Sequence, residues 1–329
     1  MNSIVGFNNQ ENYILKNFKN NNLHNSIILS GEKGIGKKTF IIELLKKIIC
    51  LNLSNDNKDH HTNLIENNTH PNLKFVSRII DTKTKKLKQF ITIDQIRFLN
   101  SFFLETSFLN NISKFIVIDC ADDLNLNSSN GLLKILEEPK SNTFFFLITH
   151  KISSLLPTIR SRCLKIKFNN HSYDDFKLII EKKINLLKED QVRFLFDLSN
   201  GSPGHAINLY DEEILLIFEE LINSLKSSND LSYNQIEISK KLSKYENDKF
   251  KIFLSLLKFI LINISKLNNG IDISNYFSNR VVKNIAHIST NISNNLILRK
   301  LEYLINNEND LFTYNLDKNL FLLNFFTEK

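Results

Sequence analysis

At 329 residues the chain has room for two or three domains, each with its own core. Hydrophobic residues make up 42% and charged residues 23%, the balance of a globular protein, and eight Gly, four Pro and no Trp argue against collagen-like or turn-rich all-β architectures. The net charge of +7 permits contact with nucleic-acid phosphates, but heavy use of Asn, Ile, Lys and Phe fits an AT-rich coding bias that raises lysine by itself.

Cys50, Cys120 and Cys163 sit on or beside apolar segments without a C-x-x-C pair, so reduced, cytoplasmic thiols are expected. Met1 to Gly6 lacks a basic region followed by an apolar one, and no secretory signal is read there. The most apolar stretch, Phe250 to Leu267, is interrupted by Lys251, Ser255, Lys258, Asn263 and Lys266. It reads as a buried helix and not as a membrane span.

In chain order, Gly6 to Asn20 predicts a short helix, with Tyr13, Ile14 and Phe18 at helical spacing. Ser26 to Ser30 predicts a strand. Gly31-Glu32-Lys33-Gly34-Ile35-Gly36-Lys37-Lys38-Thr39 follows, then the amphipathic run Phe40 to Leu45. Strand, glycine loop and helix start match a phosphate loop: Gly31, Gly34 and Gly36 let successive N–H groups converge on a phosphate, and Lys37 would reach the β- and γ-phosphates of a nucleotide. The Ser or Thr that should follow and ligate magnesium is Lys38. Thr39 is displaced by one residue, which turns a helical side chain by about 100°.

Residues 50 to 70 read as an Asn-rich loop carrying His60, His61 and His70. Lys74-Phe75-Val76 predicts a strand, Asp81 to Lys88 a solvated basic hairpin, and Ile93 to Arg97 a helix start with Asp94 near its positive end. Phe115 to Ile118 is an apolar run ending on Asp119, as a buried parallel strand would deliver a carboxylate to its C-terminal edge. A helix through Leu132-Leu133-Lys134-Ile135-Leu136-Glu137-Glu138-Pro139, a second apolar run Phe144 to Thr149, and Leu156-Pro157-Thr158-Ile159-Arg160-Ser161-Arg162-Cys163 come next. Lys165 to Phe168 predicts a closing strand, with a boundary near Asn169. Beyond it the pattern is helical: Phe176 to Lys188, Gln191 to Leu198, Ile214 to Leu225, Gln235 to Leu242, Phe250 to Leu267, Leu296 to Ile305, and a last helix opened by Asn315-Leu316-Asp317-Lys318.

The order of strand with terminal Asp, helix ending Leu-Glu-Glu-Pro, second strand and Pro-x-x-x-Ser-Arg-Cys resembles the clamp-loader branch of the AAA+ ATPases. The resemblance is specific over Gly31 to Gly36 and Ile116 to Cys163 and covers the rest mainly by helical character. It implies an α/β fold, a parallel phosphate-loop sheet with helical layers over residues 1–168, then a helical lid at 169–211 and an all-α collar at 212–329. It also implies that Arg162 reaches in trans to the γ-phosphate held by a neighbouring subunit, a role suited to a permanently charged, forked guanidinium.

Three departures from active relatives follow from the same resemblance: Lys38 for the metal-binding hydroxyl, Cys120 for the water-polarising Glu after Asp119, and Gly204 and His205 where an arginine touches phosphate. Thr149, at the position that senses γ-phosphate in active relatives, is then expected to be structural. The family's four-cysteine zinc module is reduced here to Cys50, so no zinc is expected. The implied protein is a non-hydrolysing ring subunit that needs no cofactor, with ATP or ADP binding left open at Gly31, Gly34, Gly36, Lys37, Lys38, Thr39 and Asp119. Its implied partners are gamma/tau and delta subunits, with the sliding clamp and primer-template DNA met through the assembled ring and no membrane. The alternatives are an active gamma/tau-like ATPase with a variant loop and a plain nucleic-acid-binding module.

Overall fold

The computed structural model describes residues 4–51, 55–81, 85–104, 113–140, 142–184, 187–210, 212–226, 231–273 and 279–328. Expectations for residues 1–3, for the hairpin tip at 82–84 and for positions 185–186 lie outside the described residues. The chain divides into two units. One comprises Met1–Ile179 with Ser202–Gly204, and the other Ile180–Gly201 with His205–Lys329.

The first unit opens with helix α1 (Asn8–Lys19), strand β1 (Ser26–Ser30), α2 (Lys37–Ile49) and α3 (Asn55–Glu66). Then come β2 (Leu73–Val76), α4 (Ile93–Leu104), β3 (Lys114–Ile118), α5 (Leu126–Glu137), β4 (Thr143–Thr149), the short α6 (Pro157–Ser161) and β5 (Leu164–Lys167). The strands form a parallel sheet in the order β2-β3-β4-β1-β5. Parallel strands need crossovers, and here helices supply them on both faces.

The apolar runs are continuous because both faces are covered, and alternate residues serve different cores. Ile27, Leu29, Phe115, Val117, Phe146 and Ile148 join Ile14, Phe40, Ile41 and Leu44 on one face. Ile28, Ile116, Ile118, Phe145 and Leu147 join Ile96, Leu99, Leu132 and Ile159 on the other. β5 closes the sheet with Lys165 and Lys167 exposed, an arrangement that discourages further strand addition. This is the α/β sheet that the AAA+ resemblance implies, with β4 placed between the loop-bearing β1 and the Asp-bearing β3.

One expectation needs correction. The stretch read as an Asn-rich loop contains α3, whose inward side is His61 and Ile65, buried at i and i+4. A histidine counts as polar in a hydrophobic pattern, so the stripe was hidden. Lys46 of α2 fastens this helix, donating to Glu43 and Glu66 at 2.7 Å each.

The second unit is helical among the described residues. After α7 (Tyr173–Glu181), which the boundary crosses, it holds α8 (Glu189–Leu198), α9 (Pro203–Leu209), α10 (Glu212–Ser224), α11 (Tyr233–Ser243), α12 (Asn247–Asn268), α13 (Asn279–Asn291), α14 (Asn294–Thr313) and α15 (Lys318–Thr327). α7 stops at Glu181, short of the predicted Lys188, and α13 was not singled out in the sequence. Ser232, Ser293 and Asp317 cap α11, α14 and α15 by accepting from N–H groups of the first turn. Phe250, Phe253, Leu257, Ile260, Leu304 and Leu322 are buried in this unit. Lys300 lies almost fully buried and donates to the carbonyls of Phe325, Phe326 and Glu328 at 2.7, 3.1 and 2.9 Å, tying down the end of α15.

Candidate nucleotide-type site and exposed arginine

The C-terminal ends of β1, β3 and β4 meet at one corner of the sheet. β1 feeds the loop Gly31–Gly36, which turns into α2 through Gly36 at φ +96°, a left-handed conformation that glycine adopts without strain. Lys37, at the first position of α2, is 3% exposed. Its ammonium folds back onto the loop and donates to the carbonyls of Gly31 and Glu32, both at 2.6 Å. Burial pushes the Lys37 ammonium down to about 8, against the pull of Asp122, Cys120, Asp119 and Glu32.

Lys38 points to the end of β3. Its Nζ lies 2.8 Å from Oδ2 of Asp119, and the side chain is 57% exposed. Thr39 is exposed on the next helical position. Cys120 follows Asp119 in a left-handed conformation, φ +64°. Burial, with the carboxylates of Asp123, Asp122 and Asp119 close by, pushes its thiol up to about 12, so it stays protonated.

Asp122 is the hub of this corner, a role invisible in the pattern of residues because its N–H and O–H donors lie 27 to 32 residues downstream. Oδ1 accepts from the Thr149 hydroxyl at 2.7 Å, the Lys151 N–H at 3.0 Å and the Ser154 hydroxyl at 2.7 Å; Oδ2 accepts from the His150 N–H at 2.7 Å. Burial alone would raise its pKa, but these donors outweigh that cost and hold the carboxyl below its ordinary value. Thr149 is thus occupied in tying the end of β4.

The loop is also held from outside. The Gly204 N–H donates to the Gly34 carbonyl at 2.8 Å, and the Ser202 hydroxyl donates to the Lys33 carbonyl at 2.9 Å. A Cβ on residue 204 would come within 2.8 Å of the Gly34 oxygen, so this backbone leaves no room for the arginine that the family places in this turn. His171 Nε2–H donates to the Ile35 carbonyl at 2.9 Å, and its ring packs on Phe7.

Magnesium, which this fold implies beside a nucleotide, does not fit the residues present. Asp119 is paired with an ammonium, Asp122 has both oxygens in hydrogen bonds, and no hydroxyl stands at position 38. Cys120, Asp122 and His150 bring potential ligand atoms within 4.8 Å of one another, yet a soft metal would need the thiolate that this environment opposes. His61 and His70 are engaged with each other and with the backbone. His61 Nδ1 and His70 Nε2 are 3.0 Å apart and bonded to each other, while His70 Nδ1 accepts the Asn72 N–H at 3.1 Å.

Arg162 lies elsewhere in the same unit. Pro157 starts α6 and Arg162 caps its end, just before the buried Cys163. The side chain is 37% exposed, with one guanidinium nitrogen 2.8 Å from Glu137 Oε1 and another donating to the Thr158 carbonyl at 3.1 Å. Glu137, from the Leu-Glu-Glu-Pro segment at the end of α5, therefore restrains it together with the Thr158 carbonyl.

A parallel sheet of this strand order, with a glycine loop entering a helix from β1 and an aspartate at the end of β3, defines a nucleotide-binding-type module of the AAA+ class. The sequence pattern of the family described as "DNA polymerase III, delta subunit" matches residues 7–172, half of the chain. The chain belongs to that family and is a delta-prime-like clamp-loader subunit.

Among curated relatives, the delta-prime subunit of DNA polymerase III from Pseudomonas aeruginosa is 33% identical over 141 residues, 42% of this chain and 41% of that protein. The delta-prime subunit from Buchnera aphidicola subsp. Acyrthosiphon pisum is 27% identical over 286 residues, covering 81% of this chain and 82% of the relative. The gamma subunit from Buchnera aphidicola subsp. Schizaphis graminum is 27% identical over 311 residues, covering 91% and 80%. Among the described residues, no helix is long and apolar enough to cross a membrane.

Proposed function

We propose that this chain is a non-hydrolysing clamp-loader subunit that braces a hetero-oligomeric ring and lends Arg162 to the ATP of a neighbouring gamma/tau-type subunit during loading of the sliding clamp. The observation that carries this reading is the state of Arg162: its guanidinium is part-exposed and restrained by one surface carboxylate and one carbonyl, a hold that a phosphate can displace. The corner at Lys37 supports it from the other side. There Lys38 neutralises Asp119, Cys120 cannot polarise water, and Gly204 fills the arginine position.

In this reading residues 1–168 form the nucleotide-binding-type domain, 169–211 the lid and 212–329 the collar through which subunits join. The delta subunit, the clamp and primer-template DNA are met through the assembled complex in the cytoplasm, and no cofactor is required. Reconstitution with gamma/tau and delta subunits tests it. Arg162→Ala leaves assembly intact by gel filtration and slows DNA-stimulated ATP hydrolysis about tenfold or more. Assembly intact with hydrolysis unchanged removes the role.

A second reading, a gamma/tau-like ATPase with a variant loop, has in its favour the intact glycine loop and Lys37, together with the gamma relative that covers 91% of the chain. ATP turnover by the isolated chain, abolished in Lys37→Ala, would establish it in place of the first.

A further inference from the structure

We propose that the ammonium of Lys38 is a tethered substitute for the divalent cation of this fold, so that the chain's own loop neither recruits magnesium nor gains nucleotide affinity from it. In a working phosphate loop two separate groups act at this place. The hydroxyl after the loop lysine and the aspartate at the strand end hold the ion between them. Here one side chain replaces the hydroxyl and brings the positive charge with it. Lys38 Nζ sits 2.8 Å from Asp119 Oδ2, within the space where an ion coordinated by that carboxylate would lie.

The surrounding oxygens close the other routes. Asp122 has four N–H and O–H donors and the Cys120 thiol on its two oxygens, the Thr149 hydroxyl is directed to Asp122, and Thr39 is turned about 100° further round α2. An ion approaching Asp119 meets a like charge at contact distance. If Lys38 swings outward instead, the ion finds one monodentate carboxylate and no hydroxyl beside it. The substitution is also imperfect as a metal: an ammonium carries one charge in place of two, donates hydrogen bonds, and cannot draw two phosphate groups into one coordination shell. It can neutralise a bound phosphate without assembling the geometry for cleavage. This inference rests on Gly31–Thr39 being a phosphate loop and is independent of the role of Arg162, so either can fail without the other.

The test uses the full chain and a fluorescent ADP analogue, titrated once with a chelator present and once with millimolar Mg²⁺. The wild type is expected to show the same affinity in both buffers to within about twofold, or none in either. Lys38→Thr restores the hydroxyl and frees Asp119, and it is expected to bind the analogue at least about fivefold more tightly with Mg²⁺ than without. Lys38 is more than half exposed, so circular dichroism of the variant should match the wild type. Tightening of the wild type by about fivefold or more with Mg²⁺ overturns the proposal, and so does a folded Lys38→Thr chain as indifferent to Mg²⁺ as its parent.

Discussion

Glu137 and Arg162 form an ion pair in which both side chains are more than a third exposed, at 49% and 37%. Pairs of this kind contribute about 0.2–1 kcal/mol, less than a guanidinium gains from a charged phosphate across a partly desolvated contact. In the reconstituted ring, Glu137→Ala should therefore change ATP hydrolysis by less than about threefold, while Arg162→Ala produces the much larger loss. A drop in Glu137→Ala as deep as that in Arg162→Ala would mean that the carboxylate positions the guanidinium for its work.

Asp122 is a different kind of residue, because its four N–H and O–H donors, joined by the weaker Cys120 thiol, include two backbone N–H groups that have no substitute once the carboxylate is gone. Asp122→Ala should cost about 3 kcal/mol in urea unfolding of the sheet unit's transition, with Asp122→Asn losing less because it keeps one acceptor oxygen. Since the folded state holds this carboxyl below its ordinary pKa, its contribution is present across the neutral range and fades only in acid.

At the level of elements, the joint between α3 and β2 is sensitive to pH. His70 is 3% exposed, and burial followed by the neighbouring His61 and His60 pushes its pKa down to about 4; burial and His60 lower that of His61 as well. With His70 Nδ1 accepting from Asn72, the proton shared with His61 must sit on His70 Nε2, so both rings are neutral in the folded chain. A depressed histidine stabilises the fold above the unfolded value near 6.5, and that stability is lost as pH falls toward 4. For His70 the loss between pH 7 and pH 5 comes to about 2 kcal/mol. Chemical unfolding at both pH values, in the wild type and in His70→Gln, checks it: most of that difference should vanish in the variant.

This joint also marks where the sequence stopped being informative. The strands were legible because burial on both faces forces unbroken apolar runs such as Phe115 to Ile118. The loop Gly31–Gly36 was legible because its backbone needs glycine at fixed spacing. α3 was not, because a buried pair of neutral histidines leaves the same letters as a solvated loop. The pairing of Lys38 with Asp119 could not be read either: the departure at position 38 was visible, but which carboxylate would answer it depends on β4 and β1 bringing β3 and α2 to one corner.

For the whole molecule, the two units record different amounts of history in their letters. The sheet unit carries motifs whose order alone points to the clamp-loader branch, and the family pattern over 7–172 falls within it. The helical unit is specified by packing, which many apolar sequences satisfy, so most of its helices, α13 excepted, were legible and its role was carried by resemblance. A net charge of +7 on 329 residues does not separate a DNA-binding module from a ring subunit. The salt dependence of duplex binding by the isolated chain does: weak binding alone and firm binding only in the complex is the expected outcome.

The thiol of Cys120, pushed up to about 12, and the buried Cys163, pushed up to about 11 by its own desolvation, have a practical corollary. At neutral pH the thiolate fraction of each is below about one part in a thousand, and Cys50 is shifted in the same sense. Peroxide and alkylating reagents attack the ionised form, so the native cysteines are poor targets even in an oxidising burst. A single cysteine engineered on an outer helix would outcompete all three, allowing the protein to be tagged for distance measurements without first stripping out its own sulfur.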